Sequence, residues 1–214
     1  GYDAKAIKNY PENTGIVKNS IFKLKFSGQE CISDPVTFDT SNYIVNTDWS
    51  QAYGPGRTNW VLGVSSTASS DVNGYGWSKA YANDGINSSL AASSQLLGWS
   101  SNNNLTSNHT EWIQFDLGTN RSISEVDLFA SDRDTVYFPI DFTISVSTDN
   151  TNWTPVVTKT GYAQPAAESA KQVFTFAART ARYVKITGTK LRQNPNESNN
   201  YRMQFAEIAI LQNY

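Results

Sequence analysis

Strict alternation of apolar and polar positions dominates the second half of the chain. In Glu111–Gly118 (EWIQFDLG), Ile113, Phe115 and Leu117 fall on one side of an extended backbone, and Gln114 and Asp116 fall on the other. A period of two marks a half-buried strand. Gly118 follows where a turn needs a permissive backbone, and a second run, Ile123–Ala130, offers Ile123, Val126 and Leu128 to a core. Asp141–Thr148 (DFTISVST) repeats the pattern with Phe142, Ile144 and Val146 inward. Val61–Ser69 precedes these runs, and Trp153–Lys159, Gln172–Ala177, Tyr183–Thr189 and Met203–Gln212 follow them. Turn signals at Asp149-Asn150 and Lys159-Thr160-Gly161 separate the later segments. No long stretch carries helical periodicity. The pattern therefore predicts an all-β fold of about eight strands, an antiparallel β-sandwich of the jelly-roll kind.

The first part of the chain is less regular. Ser20–Gly28 alternates Phe22, Leu24 and Phe26 with Lys23 and Lys25, a strand with a cationic outer face; Val36–Phe38 and Tyr43–Val45 are shorter candidates. Tyr53-Gly54-Pro55-Gly56 is turn chemistry and makes a boundary. Residues 1–59 are thus expected to form a short N-terminal β segment, either the remnant of a preceding domain or strands packed on the main body, and residues 60–214 the main domain. Between Ser69 and Thr110 lies a polar stretch dense in Gly, Ser and Asn. Long loops inside a domain are either functional or disordered. Trp77, Tyr81, Leu96, Leu97 and Trp99 punctuate this one and favour function.

Charge and composition narrow the partners. The 214 residues carry 17 basic and 19 acidic side chains, a net charge of −2. That balance argues against a nucleic-acid partner, and no basic cluster suggests an anionic membrane surface. The lone Cys31 cannot form an internal disulfide. No segment is apolar over the length of a membrane span, and no signal peptide is visible, so the targeting segment of an exported protein would already have been removed. Aromatic content of 13% against 17% charged residues suits neutral, hydroxyl-rich ligands and an exported bacterial surface protein. Catalytic constellations are missing: His109 is the single histidine, and the best acidic cluster, Asp132 and Asp134, straddles Arg133, which would hold both ionised.

Several short stretches occur in a telling order: Ala82-Asn83-Asp84-Gly85, Gly98-Trp99-Ser100-Ser101, Glu111–Gly118, Phe138-Pro139 with Phe142, Ala181-Arg182-Tyr183-Val184-Lys185-Ile186, and Ala206-Glu207-Ile208. In this order they resemble the discoidin superfamily, which includes the coagulation-factor type C domains and the family 32 carbohydrate-binding modules. The resemblance covers about residues 60–214. It implies a galactose-binding-like β-sandwich that presents ligand loops at one end, a secreted or cell-surface setting, and a glycan partner. It also implies a structural calcium. Here Asp84 and Glu207 would supply carboxylates, Ser89 a hydroxyl, and Tyr81, Ile86 and Ala206 carbonyl oxygens, which suits a cation taking six to eight oxygen ligands; the alternative is that Asp84 makes only an Asx-turn and Glu207 only a hydrogen bond. Glu207 stands in an otherwise apolar run, where an unpaired carboxylate is costly to bury.

The expected ligand site draws on Trp99, Asn102, His109, Arg133, Asn196 and Tyr201. Galactose-binding relatives place a histidine directly after the tryptophan, whereas Trp99 is followed by Ser100, so galactose itself is not implied. Arg133 matches the family's loop arginine and either bridges vicinal hydroxyls or pairs with its flanking aspartates. Tyr201 either stacks on a sugar face or packs inward. Arg182 and Arg202 match positions used structurally inside the sandwich. The expected function is a non-catalytic carbohydrate-binding module. Protein recognition in adhesion is the alternative, and membrane binding through Leu96, Leu97 and Trp99 is disfavoured because Ala91–Asn108 holds no Lys or Arg.

Overall fold

The computed structural model describes residues 58–86, 96–131, 135–166 and 170–212, together with the backbone of four strands nearer the N-terminus. The chain divides into two compact units, Gly1–Thr47 and Asp48–Tyr214. In the first, β1 (Ile16–Ser20) pairs antiparallel with β4 (Val36–Asp39), and β2 (Lys23–Phe26) pairs with β3 (Gln29–Ile32). The strand candidate Tyr43–Val45 lies outside the described residues.

The second unit begins its described structure with β5 (Thr58–Asn59) and β6 (Ser66–Ala68), followed by β7 (Trp99–Ser100) and β8 (Glu111–Phe129). Then come β9 (Asp141–Ser147), β10 (Thr154–Lys159), β11 (Lys171–Lys190), β12 (Arg192–Gln193), β13 (Tyr201–Arg202), β14 (Gln204–Phe205) and β15 (Glu207–Gln212). A seven-stranded antiparallel sheet runs β10-β9-β11-β8-β15-β5, with β6 also on β8. Because β5 pairs with β15 through Asn59 and Leu211, the sheet starts just before Trp60.

Two long strands form its spine. The expected segments Glu111–Gly118 and Ile123–Ala130 are one strand, β8, and Gln172–Ala177 and Tyr183–Thr189 are likewise one, β11. They stay paired from Lys171↔Phe129 to Gly188↔Glu111. The pairing steps from Ala181↔Arg121 to Tyr183↔Asp116, so residues 117–120 stand opposite Arg182 alone. Gly118, at φ +76°, allows that excursion. Asp116 accepts two hydrogen bonds from the Arg182 guanidinium, at 2.7 and 2.8 Å, and ties the corner. Arg182 is structural but sits outside the sandwich, with its side chain 40% exposed.

Beyond the corner, the first half of the spine is flanked by β6 and β9 and the second half by β15. One core fills the space between: Ile113 and Phe115 from the first half, Val126 and Leu128 from the second, Ile144 from β9 and Ile208 from β15. This is the β-sandwich that alternation predicts. Phe138 packs edge-on against Phe142 and Phe205, at 5.8 and 5.4 Å between centroids. Two expectations change in detail. Val61–Ser69 is a turn followed by the short β6, and Met203–Gln212 breaks at Ala206 into β14 and β15. Among the described residues no helix is long and apolar enough to cross a membrane.

Candidate functional site

Two regions carry the expected site residues. The first lies where the chain after the turn Lys79–Tyr81 meets the start of β15. Ile208 donates its N–H to the Ala82 carbonyl at 2.6 Å, which docks the Ala82–Ile86 segment against the last strand. Asn83, buried, fixes the segment from the other side: its side-chain amide donates to the Val64 carbonyl at 2.7 Å and to that of Val61. Glu207 is fully buried, and its Oε1 accepts from the Gly85 N–H at 3.3 Å. Asp84 Oδ1 accepts from the Ile86 N–H at 2.9 Å. Asp84 Oδ2 and Glu207 Oε2 are buried with no hydrogen-bond partner.

Such a pair is electrostatically costly on its own. Burial pushes the Asp84 carboxyl up to about 6. Burial first, and then the neighbouring Asp84 charge, raises Glu207 well above its ordinary value. Carboxylate oxygens left without partners are the kind of ligand a hard cation takes, although such an ion needs six to eight oxygens in all. Among the described residues no group of three or more His, Cys, Asp or Glu side chains is placed to hold a metal ion. A cation here would therefore take its other ligands from carbonyls and hydroxyls. Tyr81, Ile86 and Ala206 lie on the two docked segments; Ser89 lies outside the described residues.

Gly98 shows how tightly this corner is packed. At φ +100°, a Cβ on it would sit 2.2 Å from the Phe205 carbonyl oxygen and 2.6 Å from Ala206 Cα. Only glycine lets β7 pass this close to β14.

The second region is an end of the sandwich built from loops. Trp99 is not part of its surface. The ring is fully buried, stacks on Phe205 at 6.2 Å and donates Nε1–H to the Ser70 carbonyl at 3.0 Å. A sugar cannot reach it, so the expected platform role is corrected to a core role. Pairing of β7 with β14 draws the indole inward.

The neighbouring loops are held by a buried carboxylate. Glu111 accepts from the Ser70 hydroxyl at 2.8 Å, from Ser69, and from the Asn104 side-chain amide at 3.0 Å. His109, half-exposed, places Nε2 3.5 Å from the same carboxylate. Asn102 is exposed, with its N–H donated to Ser70 Oγ at 2.9 Å. Asn104 and Tyr201 exchange backbone hydrogen bonds at 2.9 and 3.0 Å, which brings the loop before β13 alongside. Asn102, His109 and Tyr201 are thus gathered at one end. Tyr201 is partly buried and packs on the core. Asn196 is exposed in the turn Asn194–Glu197. Arg133 lies outside the described residues. Arg202 donates Nε–H to Asn200 at 2.7 Å, a structural role.

Sequence reasoning missed Tyr75. It is 96% exposed at the tip of a tight hairpin in which Gly74 and Trp77 exchange backbone hydrogen bonds, each at 2.9 Å. Tyr75 and Gly76 both have positive φ, +55° and +87°, as a primed hairpin turn requires. The hairpin is anchored where Val72 donates its N–H to Ser100 at 3.1 Å and Trp77 bridges Gly98.

A family model described as F5/8 type C domain matches residues 65–207. Chitosan-binding module 1 of a chitosanase/glucanase from Paenibacillus sp. IK-5 is 29% identical; the match covers 72% of this chain and 98% of that one, with a TM-score of 0.53. Module 2 of the same enzyme, solved with chitotriose, is 25% identical over 71% of this chain and 98% of that one, with a TM-score of 0.51. The family 32 carbohydrate-binding module of Clostridium perfringens NanJ, solved with galactose, is 17% identical over 73% and 99%, with a TM-score of 0.55; it shares the fold. No curated protein sequence matches the chain.

Proposed function

The chain belongs to the F5/8 type C domain family, and from that membership we propose that it is a non-catalytic carbohydrate-binding module that acts outside the cell on a glycan. The observation that carries the reading is the 29% identity with a chitosan-binding module across nearly all of that module. An amino-sugar polymer of the chitosan class is accordingly the first ligand to test, ahead of galactose.

The proposed site joins the Tyr75 hairpin to the loop end with Asn102, His109 and Tyr201, with Arg133 and Asn196 as further candidates from the sequence. A sugar ring offers an apolar face and a rim of hydroxyls. Tyr75 supports the reading as an exposed aromatic platform, and the amides and imidazole nearby supply donors and acceptors. Glu111 is the positioning residue, since its carboxylate fixes the loops on which they stand. A bound calcium at Asp84 and Glu207 is proposed to stabilise the fold at its β7–β14 corner and to take no part in chemistry.

A glycan array that includes glucosamine oligomers, followed by calorimetric titration of Tyr75→Ala and Tyr201→Ala, tests the reading. Shallow sites of this kind give weak affinity, roughly 0.1–1 mM. No glycan bound above background would overturn the function. Unchanged affinity in both variants, with the fold intact, would move the site.

A further inference from the structure

The outward face of the sheet's first half carries a second, separate arrangement. Trp112, Gln114 and Asp116 of β8 point away from the core, in register with Thr187, Lys185 and Tyr183 of β11. Lys185 also pairs with Ser145 of β9. The turn after β9 folds toward this face: Asn150, at φ +62°, accepts a hydrogen bond from the Gln114 side chain at 2.9 Å. The same turn delivers Trp153, whose ring centroid lies 3.9 Å from Lys185 Nζ, while the Trp112 centroid lies 5.3 Å from the same ammonium.

The turn is held firmly. Asp149 accepts hydrogen bonds from the N–H groups of Thr151 and Asn152 at 2.8 and 2.7 Å, from the Asn152 side chain at 2.7 Å and from Ser147 Oγ at 3.0 Å. These bonds keep its carboxyl well below the usual range. Trp153 therefore follows directly on a turn whose backbone is well held.

Lys185 is the unusual member. No carboxylate pairs with it among the described residues, and the acid on its own face, Asp116, is committed to Arg182. Indole faces attract the ammonium but cannot neutralise it. The half-buried cation therefore lacks a counter-charge, and its surroundings disfavour the charge it carries. An incoming carboxylate would restore that balance, while neighbouring indoles suit the apolar faces of sugar rings and the Gln114–Asn150 amides suit hydroxyls.

We propose that this outer sheet face is a second glycan-binding surface, separate from the loop end, and that it takes an acidic polysaccharide built from hexuronate residues, with a uronate carboxylate meeting Lys185 beside Trp112 and Trp153.

The test uses the full chain and oligogalacturonate, with its fully methyl-esterified form as the uncharged control. Wild type and Lys185→Arg bind oligogalacturonate by calorimetry, whereas Lys185→Met, which keeps the aliphatic stem, and Trp153→Ala each weaken it about tenfold or more. The esterified control binds wild type no better than oligogalacturonate binds Lys185→Met. Binding of glucosamine oligomers is unchanged in these variants, which separates this site from the loop end. Nuclear magnetic resonance on the wild type gives an independent readout if a variant fails to fold: the Trp112 and Trp153 indole N–H signals shift on adding oligogalacturonate. Equal affinity in wild type and Lys185→Met, no binding at all, or shifts confined to the Tyr75 hairpin would each overturn the proposal.

Discussion

Asp84 and Glu207 each hold one buried carboxylate oxygen without a hydrogen-bond partner, and the Asp84 charge adds to the cost of ionising Glu207. They come from opposite ends of the domain and are brought together by the Ile208–Ala82 hydrogen bond. Calcium binding to the folded state alone would raise stability by mass action. At a hundredfold excess over Kd the gain is about 2.7 kcal/mol, or about 5–10 °C in Tm for a domain of this size. Differential scanning calorimetry with and without chelator measures it directly. In chelator, Asp84→Asn is expected to melt no lower than wild type, because it relieves repulsion; in calcium it melts lower. An identical wild-type melt in both buffers counts against the ion.

The same carboxylates set the pH response of the chelated protein. The folded-state value of Asp84 is raised to about 6 by burial. Asp127, fully buried on β8, is also raised to about 6: burial outweighs the opposing pull of Lys171, whose Nζ lies 3.4 Å away. A raised carboxyl value means that the folded state binds more protons than the unfolded chain between about pH 4 and 6. Stability therefore falls as pH rises through that window, and the strongly raised Glu207 carboxyl adds to the fall. Urea titrations in chelator at pH 4.5 and 7.5 should show the lower pH to be the more stable. Calcium should flatten the Asp84 and Glu207 share, and Asp127→Asn should remove the remainder.

Residues 1–47 form a unit of their own, and the matched family region starts at residue 65. Deleting residues 1–47 is therefore expected to leave glycan affinity within about twofold of the full chain, a margin of about 0.4 kcal/mol. The cut must spare Thr58–Asn59, since β5 pairs with β15 at the sheet edge. Comparing the two proteins by calorimetry checks this, and a lost or strongly weakened interaction would make the N-terminal unit part of the binding machinery.

How much of this was legible beforehand depended on whether a residue's neighbours in sequence are also its neighbours in space. Ile113, Phe115, Phe142 and Ile144 are buried as alternation requires, because a strand's two faces are set locally. Glu207 was legible for a related reason, as a carboxylate in an apolar run demands a partner. The unbroken spine was not. Gly118-Thr119-Asn120 reads as a chain-reversing turn, yet pairing with β11 on both sides of Arg182 carries the strand through it. Trp99, between Gly98 and Ser100, reads as a loop aromatic; only contact with Phe205, far along the chain, makes it core. Tyr75 was hidden in a polar stretch, although Asn73-Gly74-Tyr75-Gly76 carried a hairpin signal.

Trp99 and Tyr75 give the sharpest contrast, because each does what the other's sequence context suggests. Removing the fully buried Trp99 ring leaves a cavity and an unpaired Ser70 carbonyl, so Trp99→Ala is expected to cost about 3–5 kcal/mol. Trp99→Phe should cost less and leave affinity unchanged wherever the protein remains folded. Tyr75 holds a left-handed backbone that a side chain disfavours by about 1 kcal/mol, while its ring touches little. Replacing it with glycine should therefore raise stability by about 0.5–1 kcal/mol. The same Tyr75→Gly change removes the proposed platform and should weaken glycan binding about tenfold or more. Chemical denaturation and calorimetric titration of this one variant report the two effects separately. Greater stability with lost affinity marks the hairpin as a turn that holds strain to present an aromatic ring to sugar. Greater stability with affinity retained makes Tyr75 a bystander and returns the platform to Tyr201.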